Sequence, residues 1–130
     1  MRRVVDASAL VDALLPTLQR DASLTAMRGH ELWAPAIIDL EVLSTLWRLV
    51  RASQILADEA DRGLALLRSI PIRRIDDAAV TAEAWGLRQS VRISDAFYVA
   101  TARLLDADLL TSDARLSRAP ALGVTVVLLR

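Results

Sequence analysis

Four carboxylates in this chain stand where a fold could bring them to one place. Asp6 directly follows the apolar pair Val4-Val5, and Asp113 lies just past the run Asp108-Leu109-Leu110-Thr111. Asp95 falls in the first turn of a predicted helix, where the partial positive charge of the helix end favours an acid. Glu41 sits between Leu40 and Val42 in the most apolar helical stretch, on a narrow polar stripe with Ser44, Thr45 and Arg48. Carboxylates gathered in one pocket repel each other. With no Lys and only His30 in the chain, an added cation would have to hold them. Oxygen ligands without thiolate or imidazole select Mg²⁺ or Mn²⁺ over zinc. Such an ion polarises a phosphate, lowers the pKa of a bound water and steadies the leaving oxygen. The chemistry this points to is metal-dependent phosphodiester hydrolysis.

Each acid also has a purely structural reading. Asp95 and Asp113 follow Ser at helix starts and could serve as caps, and Asp6 could cap the helix it precedes. Glu41 could lie on an exposed stripe, only loosely paired with Arg48 two turns away. Asp12, Asp21, Asp58, Asp61, Asp76, Asp77, Asp106 and Asp108 are read as solvated faces or caps. The joint pattern of the four is harder to dismiss than any one member.

The elements that must position these acids alternate. Short apolar runs at Arg3–Asp6, Glu31–Ala34, Ile70–Ile75, Asp108–Thr111 and Val124–Leu128 read as strands without polar alternation, as a sheet covered on both faces requires. Between them lie helical stretches: Ala9–Leu15 capped by Ser8, Leu18–Met27, Ala36–Arg51, Ser53–Leu67, Ala78 to about Ser90, Asp95–Asp106 capped by Ser94, and Ala114–Arg118. Ala36–Arg51 is apolar nearly all round, which predicts a helix buried on several sides. Trp33, Trp47, Trp85, Phe97 and Tyr98 are spaced for core packing, with Trp85 also suited to an interface. The class is α/β with a parallel sheet. Right-handed crossovers would then put Asp6 and Asp113 at one sheet edge, in the crevice beyond the carboxyl ends of the strands.

Composition narrows the chemistry further. The chain has 130 residues, one domain's worth, and 54% of them are apolar, enough for one sizeable core. Residues 1–130 are read as a single domain without repeat or linker. The absence of Cys excludes disulfide scaffolds, thiol nucleophiles and iron–sulfur clusters. All 16 basic residues are Arg, so no P-loop or Schiff-base lysine is possible. Those 16 are matched by 16 acids, and neither half of the chain is a basic arm. Nucleic acid would have to meet a local patch. No apolar run approaches the ~18 residues of a membrane span, and a cytoplasmic, soluble protein is expected.

The same residues resemble the PIN-domain ribonucleases, especially the VapC-type toxins of toxin–antitoxin pairs. Val4-Val5-Asp6-Ala7-Ser8-Ala9-Leu10 is similar to the family's first motif, and Pro35 to Glu41 to its second. Ser94-Asp95-Ala96-Phe97-Tyr98-Val99-Ala100-Thr101-Ala102 resembles the third, and Leu109-Leu110-Thr111-Ser112-Asp113-Ala114-Arg115-Leu116 the fourth. All four occur in order and cover nearly the whole chain. The resemblance implies a three-layer fold around a five-stranded parallel sheet and a Mg²⁺- or Mn²⁺-dependent endoribonuclease. Asp6 and Asp95 would be the principal metal ligands, and Asp113 would complete the acidic pocket. Glu41 would position metal or attacking water, while Ser8, Thr111 and Ser112 would orient the acids. It further implies a homodimer, and a small antitoxin that covers the active site. An antitoxin Arg would suit an all-acid pocket. Arg88, Arg92, Arg103, Arg115 and Arg118 lie near the third and fourth motifs and could bind phosphate or form ordinary surface ion pairs.

Two other enzyme classes fit less well. A haloacid-dehalogenase-like phosphatase wants a second acid where this chain has Ser8, and usually a Lys. A phosphorelay receiver also needs a Lys. A non-catalytic PIN-fold module binding protein or RNA is the remaining alternative, and such a module would normally have lost one of the four acids.

Overall fold

The computed structural model describes residues 1–119 and 122–129. Five strands, β1 (Arg2–Val5), β2 (Glu31–Pro35), β3 (Ile72–Ile75), β4 (Asp108–Thr111) and β5 (Val126–Leu128), form one all-parallel sheet in the order β3-β2-β1-β4-β5. Val4 and Val5 of β1 and Leu109 and Leu110 of β4 are fully buried, which is why those strands read as continuous apolar runs. The chain leaves β1 toward β2 and β3, then crosses back to place β4 on the other side of β1. That reversal opens a crevice between the carboxyl ends of β1 and β4.

Seven α-helices flank the sheet among the described residues: α1 (Ala7–Leu14), α2 (Arg20–Met27), α3 (Ile37–Arg51), α4 (Ala57–Ser69), α5 (Thr81–Gly86), α6 (Ile93–Leu105) and α7 (Ala114–Ser117). Helix α1 packs with α2, α3 and α4. Helix α6 lies against β1, β2 and β4 and packs with α5. The expected α/β architecture with helices on both faces of a five-stranded parallel sheet is what is found.

Several expected boundaries move for identifiable reasons. Asp6, not Ser8, caps α1, its side chain accepting from Ala9 N at 2.9 Å. Ser53 does not start α4 but ends α3. It adopts a left-handed conformation (φ 57°) and its N–H bonds Val50 O, while Gln54 N bonds Leu49 O. This is the paired arrangement that closes a helix C-terminus. Helix α4 starts later, where Glu59 accepts from Leu56 N at 2.9 Å. The stretch expected as one helix from Ala78 is a 3₁₀ turn (Asp77–Val80) followed by the short α5, which stops at the weak helix former Gly86. Helix α6 begins at Ile93 after Arg92, so Ser94 lies inside its first turn and does not cap it.

Helix α3 is not buried on several sides. Ile38, Val42 and Leu46 face the core, whereas Leu40, Leu43 and Trp47 form an exposed apolar stripe. Trp47 and Trp85 are each about 60% exposed (62% and 61%), so neither is a core residue. Both lie beneath cations, Arg51 over Trp47 at 5.8 Å and Arg88 over Trp85 at 4.6 Å. Apolarity marks a residue that wants a partner. It does not say whether that partner is in the same chain.

Asp108, read as a solvated face or cap, and Asp77, which serves as a cap, tie distant segments together. Asp108 takes a forked pair of bonds from Arg3 (3.1 and 2.9 Å), and Arg3 also reaches Ala26 O at 2.8 Å, joining β1, β4 and the end of α2. Asp77 accepts from Ile37 N at 3.0 Å, satisfying the first turn of α3 from a distant segment.

Candidate active site

Strand pairing sets the position of Asp6. Its N–H continues the β1–β4 ladder by donating to Leu110 O at 3.0 Å, and its side chain points into the crevice mouth, only 4% of the residue exposed. One carboxylate oxygen accepts from Ser8 Oγ (2.6 Å) and Ala9 N (2.9 Å), and the other accepts from the Thr111 hydroxyl. Burial pushes the Asp6 pKa up to about 6; the three hydrogen bonds pull against that, and the nearby charge of Asp95 adds to it. Burial therefore outweighs three hydrogen-bond donors at this carboxylate.

The hydroxyls that orient Asp6 also lock the two strand ends together. Ser8 Oγ lies 3.3 Å from Thr111 Oγ1 and accepts from Ser112 N at 3.0 Å, while Asp113 N donates to Thr111 Oγ1 at 3.0 Å. Ser112 differs from Ser8 and Thr111. Its hydroxyl turns away from the four acids and donates to Asp12, which thereby ties α1 to the loop after β4 instead of lying solvated.

Asp95 and Asp113 come from different elements and share one guanidinium. Arg92, at the N-cap of α6, reaches Asp95 Oδ2 at 3.2 Å and Asp113 Oδ2 at 3.5 Å. Asp113 caps α7 by accepting from Arg115 N at 2.9 Å, and the Arg115 side chain pairs with it at 3.3 Å. Partial burial would raise the Asp113 pKa, but Arg115 and Arg92 together outweigh it and hold the group below the usual carboxylate range. Asp6 and Asp113 are therefore helix caps, as their structural reading has it, and cleft residues at once.

Glu41 does not lie on an exposed stripe. It accepts a hydrogen bond from the hydroxyl of Tyr98, a residue only 2% exposed. Burial, and then the bond to Glu41, hold the Tyr98 proton well above its ordinary pKa, so Tyr98 acts as a fixed donor. Tyr98 stands one helical turn after Asp95 on α6, and that spacing was the signal that could have placed it at the site.

Asp6, Ser8, Glu41, Asp95 and Asp113 line one cleft of about 440 Å³, together with Thr45, Arg48, Arg92 and Tyr98. Thr111 stands behind Asp6. A second cleft of about 430 Å³ adjoins it, sharing Arg92, Asp95 and Asp113 and adding Arg88 and Arg115. Of the other arginines considered for phosphate, Arg103 is turned to Glu83 and Leu122 O, and Arg118 lines neither cleft.

The donor set suits a hard divalent ion, since it is all oxygen and no imidazole or thiolate competes. Among the described residues, however, no three Asp, Glu, His or Cys side chains are gathered as a finished metal cage. Asp95 and Asp113 are turned to Arg92 and Arg115 instead.

The PIN domain family model matches residues 3–122. A curated relative from Mycobacterium tuberculosis, Ribonuclease VapC3, is 41% identical over 117 residues, covering 89% of this chain and 85% of the relative. The fold is similar to that of VapBC2 from Rickettsia felis, solved bound to a DNA fragment from its promoter (TM-score 0.71, 15% identity, all of both chains covered). It is also similar to a toxin–antitoxin complex from Klebsiella pneumoniae (TM-score 0.68, 20% identity, covering 96% of this chain and 95% of that one).

Proposed function

The chain belongs to the PIN domain family, and from that premise we propose that it is a metal-dependent endoribonuclease, the toxin of a toxin–antitoxin pair, with the crevice between β1 and β4 as its active site. One observation carries the reading: four carboxylates from four separate segments line a single cleft at the point where the sheet order reverses. The name of the Mycobacterium relative supports RNA as the substrate.

In this reading Asp6, Asp95 and Asp113 hold Mg²⁺ or Mn²⁺. When bound, the ion polarises the phosphate and lowers the pKa of water. Everything else is the work of the chain's own side chains. Ser8 and Thr111 keep both oxygens of Asp6 in fixed directions. Glu41, held by the Tyr98 hydroxyl on one oxygen, faces the cleft with its other oxygen placed to accept a proton from an attacking water. Ser112 supports the site through its N–H to Ser8, not through its hydroxyl.

The same reading covers residues 1–130 as a single domain, a cytoplasmic location, a homodimer and a small antitoxin protein lying over the cleft. Among the described residues no helix is long and apolar enough to cross a membrane. The exposed stripe Leu40, Leu43 and Trp47 supports a protein partner, because single chains seldom leave such apolar faces bare.

The test is cleavage of pooled cellular RNA by the purified protein in Mg²⁺, in Mn²⁺ and in EDTA. Discrete cuts that need the ion are expected. No cuts from a folded, ion-binding protein would turn the reading to a PIN-fold binding module.

A further inference from the structure

We propose that Arg92 is a tethered counter-ion, occupying the carboxylates in the metal-free protein and, once a divalent ion displaces it, gripping the RNA phosphate next to the one being cut. The inference rests on the proposed metal-dependent ribonuclease reading and deepens it.

Three observations carry it. First, one guanidinium bridges two carboxylates that belong to different helices, Asp95 at 3.2 Å and Asp113 at 3.5 Å. A guanidinium and a divalent ion cannot share that pair without mutual repulsion, so the two compete for it. Second, Arg92 is cheap to move. Its side chain is 63% exposed, and exposed ion pairs hold weakly. Its backbone is the N-cap of α6, so side-chain torsions alone carry the guanidinium away while the anchor stays put.

Third, there is a place for it to go. Arg92 lines both clefts, and the second one is also lined by Arg88 and Arg115. The two clefts share Arg92, Asp95 and Asp113, so a strand with one phosphate at the four acids would run on toward these arginines. The planar fork of a guanidinium suits two phosphate oxygens at once. The overall charge of the chain is zero, so the grip on a polyanion has to come from a local set of this kind.

The experiment pairs Mn²⁺ binding by calorimetry with RNA turnover at saturating Mn²⁺. It compares wild type, Arg92→Ala and Arg48→Ala. Arg48 lines the acidic cleft but pairs with none of its carboxylates, so its removal reports the bare effect of deleting one positive charge. The expected result for Arg92→Ala is Mn²⁺ binding tightened about fivefold, the scale of two exposed ion pairs, together with a several-fold rise in KM for RNA. Arg48→Ala should tighten Mn²⁺ binding by less than half as much. Unchanged or weaker Mn²⁺ binding in Arg92→Ala would overturn the proposal while leaving the metal site standing, as would equal tightening in Arg48→Ala. An unchanged KM would remove the phosphate grip. Wild-type protein that binds no Mn²⁺ would instead sink the underlying reading along with the proposal.

Discussion

Asp6 is the residue on which opposing demands meet. It caps α1, receives two hydroxyls and is nearly sealed from water, yet its pKa is pushed up to about 6 because burial outweighs its bonds. In the folded, metal-free protein it therefore binds a proton more tightly than in the unfolded chain. The sign follows: its unfavourable contribution is fully present above about pH 6 and fades as pH falls toward its ordinary value of 3.8. Asp6→Asn should thus stabilise the protein in EDTA at pH 7.5 by about 1–3 kcal/mol. The gap to wild type should shrink as pH is lowered to 4, read by denaturant unfolding at each pH. A gap that is constant with pH would show that Asp6 is not strained by burial. Tyr98→Phe tests the other side of the cleft. It leaves the Glu41 oxygen without its donor, so a loss of about 1 kcal/mol in stability is expected. Cleavage should slow less than it does on removing Asp95, because the Tyr98 hydroxyl bonds Glu41 and none of the three proposed metal ligands.

The elements explain why a site can be assembled from segments so far apart in sequence. β1 and β4 are adjacent only because the chain reverses its direction across the sheet, and Arg3 clamps that adjacency at the opposite end from the acids through Asp108 and Ala26 O. Arg3 holds the Asp108 carboxyl below its ordinary range, so the stability it lends is present at neutral pH and lost in acid. Arg3→Ala should cost about 1–3 kcal/mol near pH 7, the range for charge-assisted hydrogen bonds, with the loss measured by thermal unfolding. A second close contact lies at Gly63 on α4, where a side chain would meet Leu14 O at 3.3 Å and Leu15 at 3.4 Å. Gly63→Val should destabilise by about 1–3 kcal/mol through overpacking against α1; an unchanged melting temperature would mean α4 yields at no cost.

Strand positions and the acids at their ends were legible in sequence because they rest on two local signals, an apolar run and a carboxylate just past it. Helix starts were less so. Ser8, Ser53 and Ser94 are all good capping types, yet one lies within a helix behind the true cap Asp6, one closes the preceding helix and one sits inside a first turn. A cap is decided by which backbone N–H lies within reach, and residue type alone does not report that. The bridge from Arg92 to Asp113 was not legible either, since it depends on two helix starts meeting across the crevice.

For the whole molecule, balanced charge and an exposed apolar stripe set how it meets its surroundings. A chain of zero net charge has no overall charge to attract RNA, so the attraction has to come from a local set. Binding should reflect only the few arginines at the second cleft, Arg88, Arg92 and Arg115. For single-stranded RNA bound to Asp6→Asn, the slope of log affinity against log salt should lie near about −2, as expected for roughly three phosphate contacts. A slope steeper than about −5 would mean a far larger basic surface than these clefts provide. The exposure of Trp47, expected in the core, belongs to this scale too, whereas Trp85 was also suited to an interface. An apolar pattern read from one chain does not distinguish a core face from a face left exposed.

The measurement that bears most directly on the central claim is cleavage by folded Asp95→Asn beside wild type. Both would act on one RNA cut by the wild-type protein in Mn²⁺, with Mn²⁺ binding recorded for each. The account predicts a fall of at least about a hundredfold in rate, as for the loss of a group acting at the reacting centre, together with weakened Mn²⁺ binding and unfolding no easier than wild type. A folded Asp95→Asn that cuts at the wild-type rate would contradict it, and the crevice between β1 and β4 would not be the active site.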